Sequence, residues 1–179
     1  MASRSVDPGR VHAIGHSNGG QMALRLALES PEVVAGIAAI GASLPAPDNM
    51  DCEPTSTPPR RIVFVAGTDD RINPYDGGPV TLFGFGHRGN VLSARASAEW
   101  FAGRLGMTQS QQSAIEEVDG LAAGREDWVS SDAHVRLVTI EGGGHTIPQA
   151  GYRFPRIFGA TFASDSVLKS TWQLLEGGS

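Results

Sequence analysis

Cysteine is almost absent: Cys52 stands alone among 179 residues, so no internal disulfide can form and the redox compartment cannot be read. Long apolar runs are missing as well. No stretch reaches the ~18–20 consecutive apolar residues that cross a bilayer as a helix. The opening segment, Met1 to Gly9, is short and polar and lacks the apolar centre of a signal peptide. A basic surplus is also lacking. The net charge of −5 gives no drive toward nucleic acid or an anionic membrane. There is no internal repeat and no sign of a second domain, so residues 1–179 read as one unit. What is present is ordinary for a folded globular domain: 40% hydrophobic and 18% charged residues, in a chain long enough to bury a core. Glycine is abundant, and its 23 residues gather at turns rather than in a repeat.

The apolar pattern alternates between short strands and amphipathic helices. Arg10–Ile14 predicts a strand that stops at Gly15. Ser17–Glu29 predicts a helix with Met22, Ala23, Leu26 and Ala27 on one face, closed by Pro31. Val33–Ile40 is a nearly continuous apolar run, as expected of a strand covered on both faces. Ser43–Arg61 holds five prolines and reads as a loop. Ile62–Ala66 is the clearest strand and ends at Gly67-Thr68-Asp69-Asp70. Asn73–Asn90 is irregular, Val91–Leu105 predicts a helix, and the polar Thr108–Asp132 stretch reads as partly helical. Val135–Ile140 predicts a strand running into Glu141-Gly142-Gly143-Gly144-His145, and Asp165–Leu175 a final helix. The fold class expected is α/β, a parallel sheet with helices on both faces.

Gly15-His16-Ser17-Asn18-Gly19 places a G-x-S-x-G sequence between a strand and a helix. A sharp strand-to-helix turn strains the serine backbone and lifts its hydroxyl above the sheet, and a side chain at either flanking glycine is expected to collide with backbone. A serine hydroxyl is a poor nucleophile until a base removes its proton, and that base needs an orienting partner. In this arrangement the partners follow in the order acid, then histidine. Asp70 follows the Ile62–Ala66 strand and His145 follows the Val135–Ile140 strand, so both positions are filled in order. Plainer readings exist for each. Ser17 could be a helix N-cap, Asp69-Asp70 a solvated turn with Asp69 as rival acid, and His145 a surface loop residue. The three glycines before His145 argue for backbone passing close to something. His16 reads as shaping the site, and His12, His87 and His134 as structural or exposed.

Gly15-His16-Ser17-Asn18-Gly19-Gly20, Gly67-Thr68-Asp69-Asp70 with Pro74-Tyr75, and Gly143-Gly144-His145-Thr146 with Pro148 resemble the polyhydroxybutyrate depolymerase-like and feruloyl esterase-like group of α/β-hydrolases. Trp172 in the last helix fits that likeness. The resemblance implies Ser17 as nucleophile, Asp70 as acid and His145 as base, hydrolysing carboxylic esters through an acyl-enzyme without metal or organic cofactor. It implies the backbone N–H of Asn18 as one oxyanion donor. Relatives of this kind are often exported, but localisation cannot be read here.

In such hydrolases several strands precede the nucleophile, whereas sixteen residues do here. The expectation is therefore a partial α/β-hydrolase fold, a truncated or reduced hydrolase lacking the N-terminal strands. Two consequences follow. The outer edge of the Arg10–Ile14 strand is unpaired and invites a second copy, so a homo-oligomer is expected. The loop that supplies the second oxyanion donor is missing, which weakens turnover by ~10²–10³ unless another segment supplies an N–H. The competing reading is an inactive or weak remnant serving as an oligomeric scaffold. A nucleotide-binding reading of Gly84-Phe85-Gly86-His87-Arg88-Gly89 lacks the preceding strand and the acidic ribose partner. Tyr75, Phe83, Phe85 and Trp128 are candidate pocket linings or ordinary packing.

Overall fold

The computed structural model describes residues 6–54 and 57–177. The first five positions of the Met1–Gly9 segment and two positions of the Ser43–Arg61 loop lie outside them. The first strand, β1, runs His12–His16, two residues later than its apolar run predicts. Pro8–Arg10 forms a 3-10 turn, with the Asp7 carboxylate accepting from the Gly9 N–H, and delays the strand. Helix α1 (Asn18–Glu29) follows at once and buries Ala23, Leu24, Ala27 and Leu28. Its apolar face is turned from the expected one, since Met22 is 56% exposed.

Strand β2 (Gly36–Ile40) is buried along its whole length. It starts later than Val33 because Pro31–Val33 closes a 3-10 turn. Strand β3 (Arg61–Gly67) comes next, then two short strands, β4 (Gly78–Pro79) and β5 (Asn90–Val91), that form a separate two-stranded sheet, with Val91 also bridging to Pro45. Helix α2 (Ala94–Arg104) begins where Ser93 caps it, the Ser93 hydroxyl accepting from the Ala96 N–H at 3.0 Å. The Gly84–Gly89 motif is the tip and flank of the β4–β5 excursion, with no helix opening on it, so the nucleotide-binding reading is wrong.

The Thr108–Asp132 stretch is not helical. It forms an antiparallel hairpin, β6 (Gln111–Val118) and β7 (Leu121–Val129), turned at Asp119-Gly120. Both turn residues have positive φ, 54° and 79°, which is the two-residue turn that Asp-Gly favours. Polarity misleads here because β6 is an exposed edge strand. Strand β8 (His134–Glu141) and helix α3 (Ser166–Leu175) complete the chain.

The main sheet has the order β1-β2-β3-β8-β7-β6. The first four strands are parallel, and β7 and β6 add to β8 antiparallel. Alternate residues of β3 face opposite layers. Ile62 and Phe64 pack with Leu24, Phe101 and Leu137 under α1 and α2, while Val63 and Val65 pack with Val138, Phe162 and Leu175 under α3. Both faces are thereby dry, and the strands read as continuous apolar runs. The result is an α/β-hydrolase-like arrangement: a mostly parallel six-stranded sheet with helices on both faces. Trp128, a candidate pocket residue, is 3% exposed in the first of these cores and serves packing.

Candidate active site

The C-terminal ends of β1, β3 and β8 lie on one rim of the sheet, and each delivers one predicted residue there. Ser17 sits between β1 and α1 at φ 54° and ψ −120°, a conformation costing about 1–3 kcal/mol outside glycine. The strain is held from both sides. The Ser17 N–H donates to the Ile40 carbonyl at 2.9 Å, and the Ser17 carbonyl accepts from the Gln21 N–H at 3.0 Å. Gly15 is required by close approach, since a Cβ there would stand 2.1 Å from the Gly19 carbonyl. Gly19 itself faces open space, contrary to the expectation of a clash at both flanks; the second tight position is Gly20, whose Cβ would meet Ala42 at 2.7 Å. Ser17 does not cap the helix with its side chain. Its hydroxyl lies 2.8 Å from His145 Nε2 instead.

His145 is 3% exposed and held by a compact turn. Its N–H donates to the Phe158 carbonyl at 2.7 Å. The glycines before it allow that approach: a Cβ on Gly144 would lie 2.1 Å from the same carbonyl, and Gly142 has φ 72°. On its other side, His145 Nδ1 lies 2.7 Å from Asp70 Oδ2. Asp70 is 7% exposed, and its Oδ1 accepts from the Ile72 and Asn73 N–H groups at 2.8 and 2.9 Å. It is therefore both a turn residue and the partner of His145. One oxygen holds the turn and the other faces His145, so a single carboxylate serves both contacts. Asp69 is exposed, and its side chain makes no bond to His145.

Gly41 and Phe154 at this site escape sequence reasoning. A Cβ on Gly41, at the end of β2, would stand 3.1 Å from His145 Nδ1, so this glycine forms the floor beneath the imidazole. A glycine directly after a buried strand is the only signal for it. His16 packs against the His145 ring with centroids 4.8 Å apart, and Phe154 lies beyond it at 5.8 Å. Phe154 belongs to a loop without periodicity and gives no signal. Burial, then the neighbouring His145, push the His16 imidazole below its ordinary pKa, outweighing Asp70 and a backbone hydrogen bond with His145 that act the other way. His16 is thus held neutral beside His145.

The remaining histidines are structural or exposed. The His12 side chain is buried, edge-on to Trp172, His134 bonds to Asp127, and His87 is exposed. Tyr75 spends its hydroxyl on Thr139 at 2.8 Å, and Phe85 is 80% exposed. Among the described residues no cluster of three His, Cys, Asp or Glu has the geometry to hold a metal.

No model of a known protein family matches the chain. A curated protein does. The chain is similar to "Putative esterase NocK" of Nocardia uniformis subsp. tsuyamanensis. The two are 32% identical over 184 residues, covering 97% of this chain and 53% of that relative. The chain thus spans about half the length of the curated relative it matches. This similarity supports an esterase-like family and does not separate depolymerase-like from feruloyl esterase-like members.

Proposed function

We propose that the chain is the triad-bearing part of a serine carboxylic ester hydrolase that acts on small or activated acyl esters through an acyl-enzyme. Ser17 is the nucleophile, His145 the general base and then acid, and Asp70 the group that orients His145. One observation carries the reading: a single buried imidazole bridges the Ser17 hydroxyl at 2.8 Å and a carboxylate at 2.7 Å.

Asp70 keeps the proton on Nδ1, which leaves the Nε2 lone pair facing Ser17. As Oγ attacks the ester carbonyl carbon, Nε2 takes its proton, and the carbonyl oxygen becomes an oxyanion. The Asn18 N–H, at the open start of α1, donates to that oxyanion. The tetrahedral species collapses, the alcohol leaves with the proton from His145, and a water molecule repeats the sequence on the acyl-Ser17 ester. Gly41 and His16 hold the imidazole in its plane throughout. The chemistry of this cycle calls for no metal or organic cofactor. Within the esterases, the motifs around Ser17, Asp70 and His145 favour the depolymerase-like and feruloyl esterase-like group.

The test is hydrolysis of p-nitrophenyl acetate by the chain and by Ser17→Ala, with fluorophosphonate labelling alongside. A loss of at least about 10³-fold in kcat is expected, with one label per chain on Ser17. Equal rates and no label would leave the inactive-scaffold reading in its place.

A further inference from the structure

Beside the three residues, the same rim holds a cavity of about 530 Å³. Its walls come in part from the loops that carry Asp70 and His145, while the Ser17 loop contributes none of its lining. Asp69 immediately precedes Asp70, and Gly142 begins the turn into His145. Gly159 and Ala160 belong to the segment whose carbonyls accept the Gly144 and His145 N–H groups.

Two arginines line this cavity, Arg71 and Arg156. Seven other arginines of the chain hold a carboxylate, whereas neither of these two has a side-chain partner among the described residues. Asp69 is the only acidic group on the lining and forms no ion pair with either. The cavity therefore carries a surplus of one positive charge in a chain whose net charge is −5. The third feature is Phe83. It stands at φ 55°, an unfavourable backbone state for an aromatic residue. A tight hairpin holds it there: Leu82 and Phe85 exchange both backbone hydrogen bonds, and the Thr81 hydroxyl accepts from the Gly84 N–H at 3.1 Å. The Phe83 ring packs edge-on against Phe158 with centroids 5.5 Å apart while it lines the cavity. A backbone strained to present a ring, beside two unpaired guanidinium groups, is suited to a flat apolar group bearing negative charge.

We propose that this cavity is a substrate subsite for an aryl carboxylate, with the carboxylate facing Arg71 and Arg156 and the ring against Phe83. The proposal rests on the reading of Ser17, Asp70 and His145 as an ester-hydrolysing triad, because it makes the cavity the place where one side of the ester is recognised.

The test compares p-nitrophenyl 4-carboxybenzoate with its neutral 4-carbamoyl analogue. The wild-type chain is expected to prefer the charged ester about five- to tenfold in kcat/KM at low ionic strength, with the preference shrinking as salt rises. In the Arg71→Gln/Arg156→Gln variant that ratio falls to about one. Because a ratio is read, a partial loss of folded protein does not alter the outcome. A wild-type ratio of one, or an unchanged ratio in the double variant, overturns the subsite. Calorimetric binding of terephthalate to the Ser17→Ala chain gives a readout independent of turnover. Binding that the two arginine substitutions remove supports the subsite, and absent or unaffected binding refutes it. Failure of Ser17-dependent hydrolysis of both esters sinks the esterase reading instead, and the calorimetry then decides the subsite alone.

Discussion

Replacing Asp70 with asparagine changes few atoms and should remove most of the activity. Asp70 uses its two oxygens for different partners: Oδ1 accepts from Ile72 and Asn73, and Oδ2 accepts from His145 Nδ1 at 2.7 Å. Asparagine can keep its oxygen on the two backbone N–H groups, which turns its NH₂ toward His145. An NH₂ only donates, so Nδ1 must become the acceptor and the imidazole proton moves to Nε2. At 2.8 Å from the Ser17 hydroxyl, Nε2 then donates where it must accept, and the general base is gone. The expected loss in kcat is about 10⁴-fold, or about 5.4 kcal/mol of barrier. The buried hydrogen bonds are conserved in number, so the unfolding free energy from urea titration should fall by no more than about 1–2 kcal/mol. Steady-state hydrolysis of p-nitrophenyl acetate, with urea unfolding as control, measures both. A loss under tenfold, or a larger loss from Asp69→Asn, would refute the assignment of the acid.

Three further outcomes are expected. Gly15→Ala drives a Cβ into helix backbone 2.1 Å away and should destabilise by about 3 kcal/mol or more, whereas Gly19→Ala meets open space and should gain up to about 1 kcal/mol; thermal melts that rank the two alike would contradict the elbow geometry. Acid should destabilise the fold in two steps. Burial, against the opposing pull of Glu176, holds His12 below its ordinary 6.5, and burial does the same to His16, so the unfolded chain takes up both protons first and stability falls as pH drops below about 6.5. Burial raises the Asp127 carboxyl, but hydrogen bonds from His134 and Arg136 more than reverse this and hold it below 3.8, so its contribution is complete above that value and is lost as pH falls through the folded-state pKa. Urea titrations in which His12→Gln does not shrink the first step, or Asp127→Asn does not shrink the second, would refute these assignments. Finally, β1 has no neighbour on its outer edge among the described residues, and Ile14, Met22 and Trp172 are 48%, 56% and 50% exposed around it. Such an apolar edge should draw two copies together, and a monomer in sedimentation velocity at micromolar concentration would rule this out.

Much of the architecture is local in origin and so was legible in the residue order. Ile62–Ala66 and Val135–Ile140 are apolar, β-branched runs bounded by turns, and α1 and α3 begin and end near their expected limits. The errors fall where two local signals compete. In Thr108–Asp132, polarity hid a hairpin whose Asp119-Gly120 turn was the better guide, since an exposed edge strand has no apolar face to display. In α1, the ends follow local signals, but the buried face differs from the one the apolar pattern predicts, because the neighbours of Met22 are set by the sheet.

By itself, the sequence determined the order of chemistry along the chain. A serine follows one strand, an aspartate another and a histidine a third, because each strand-to-loop junction is written in short-range residue preferences. Tertiary structure alone decided that these junctions share a rim and that Asp70, not Asp69, faces His145. It also put Gly41 beneath the imidazole and left Arg71 and Arg156 without side-chain partners among the described residues. The reason is geometric: strand order and register set distances between residues up to 128 positions apart, and local preference carries no information over that separation.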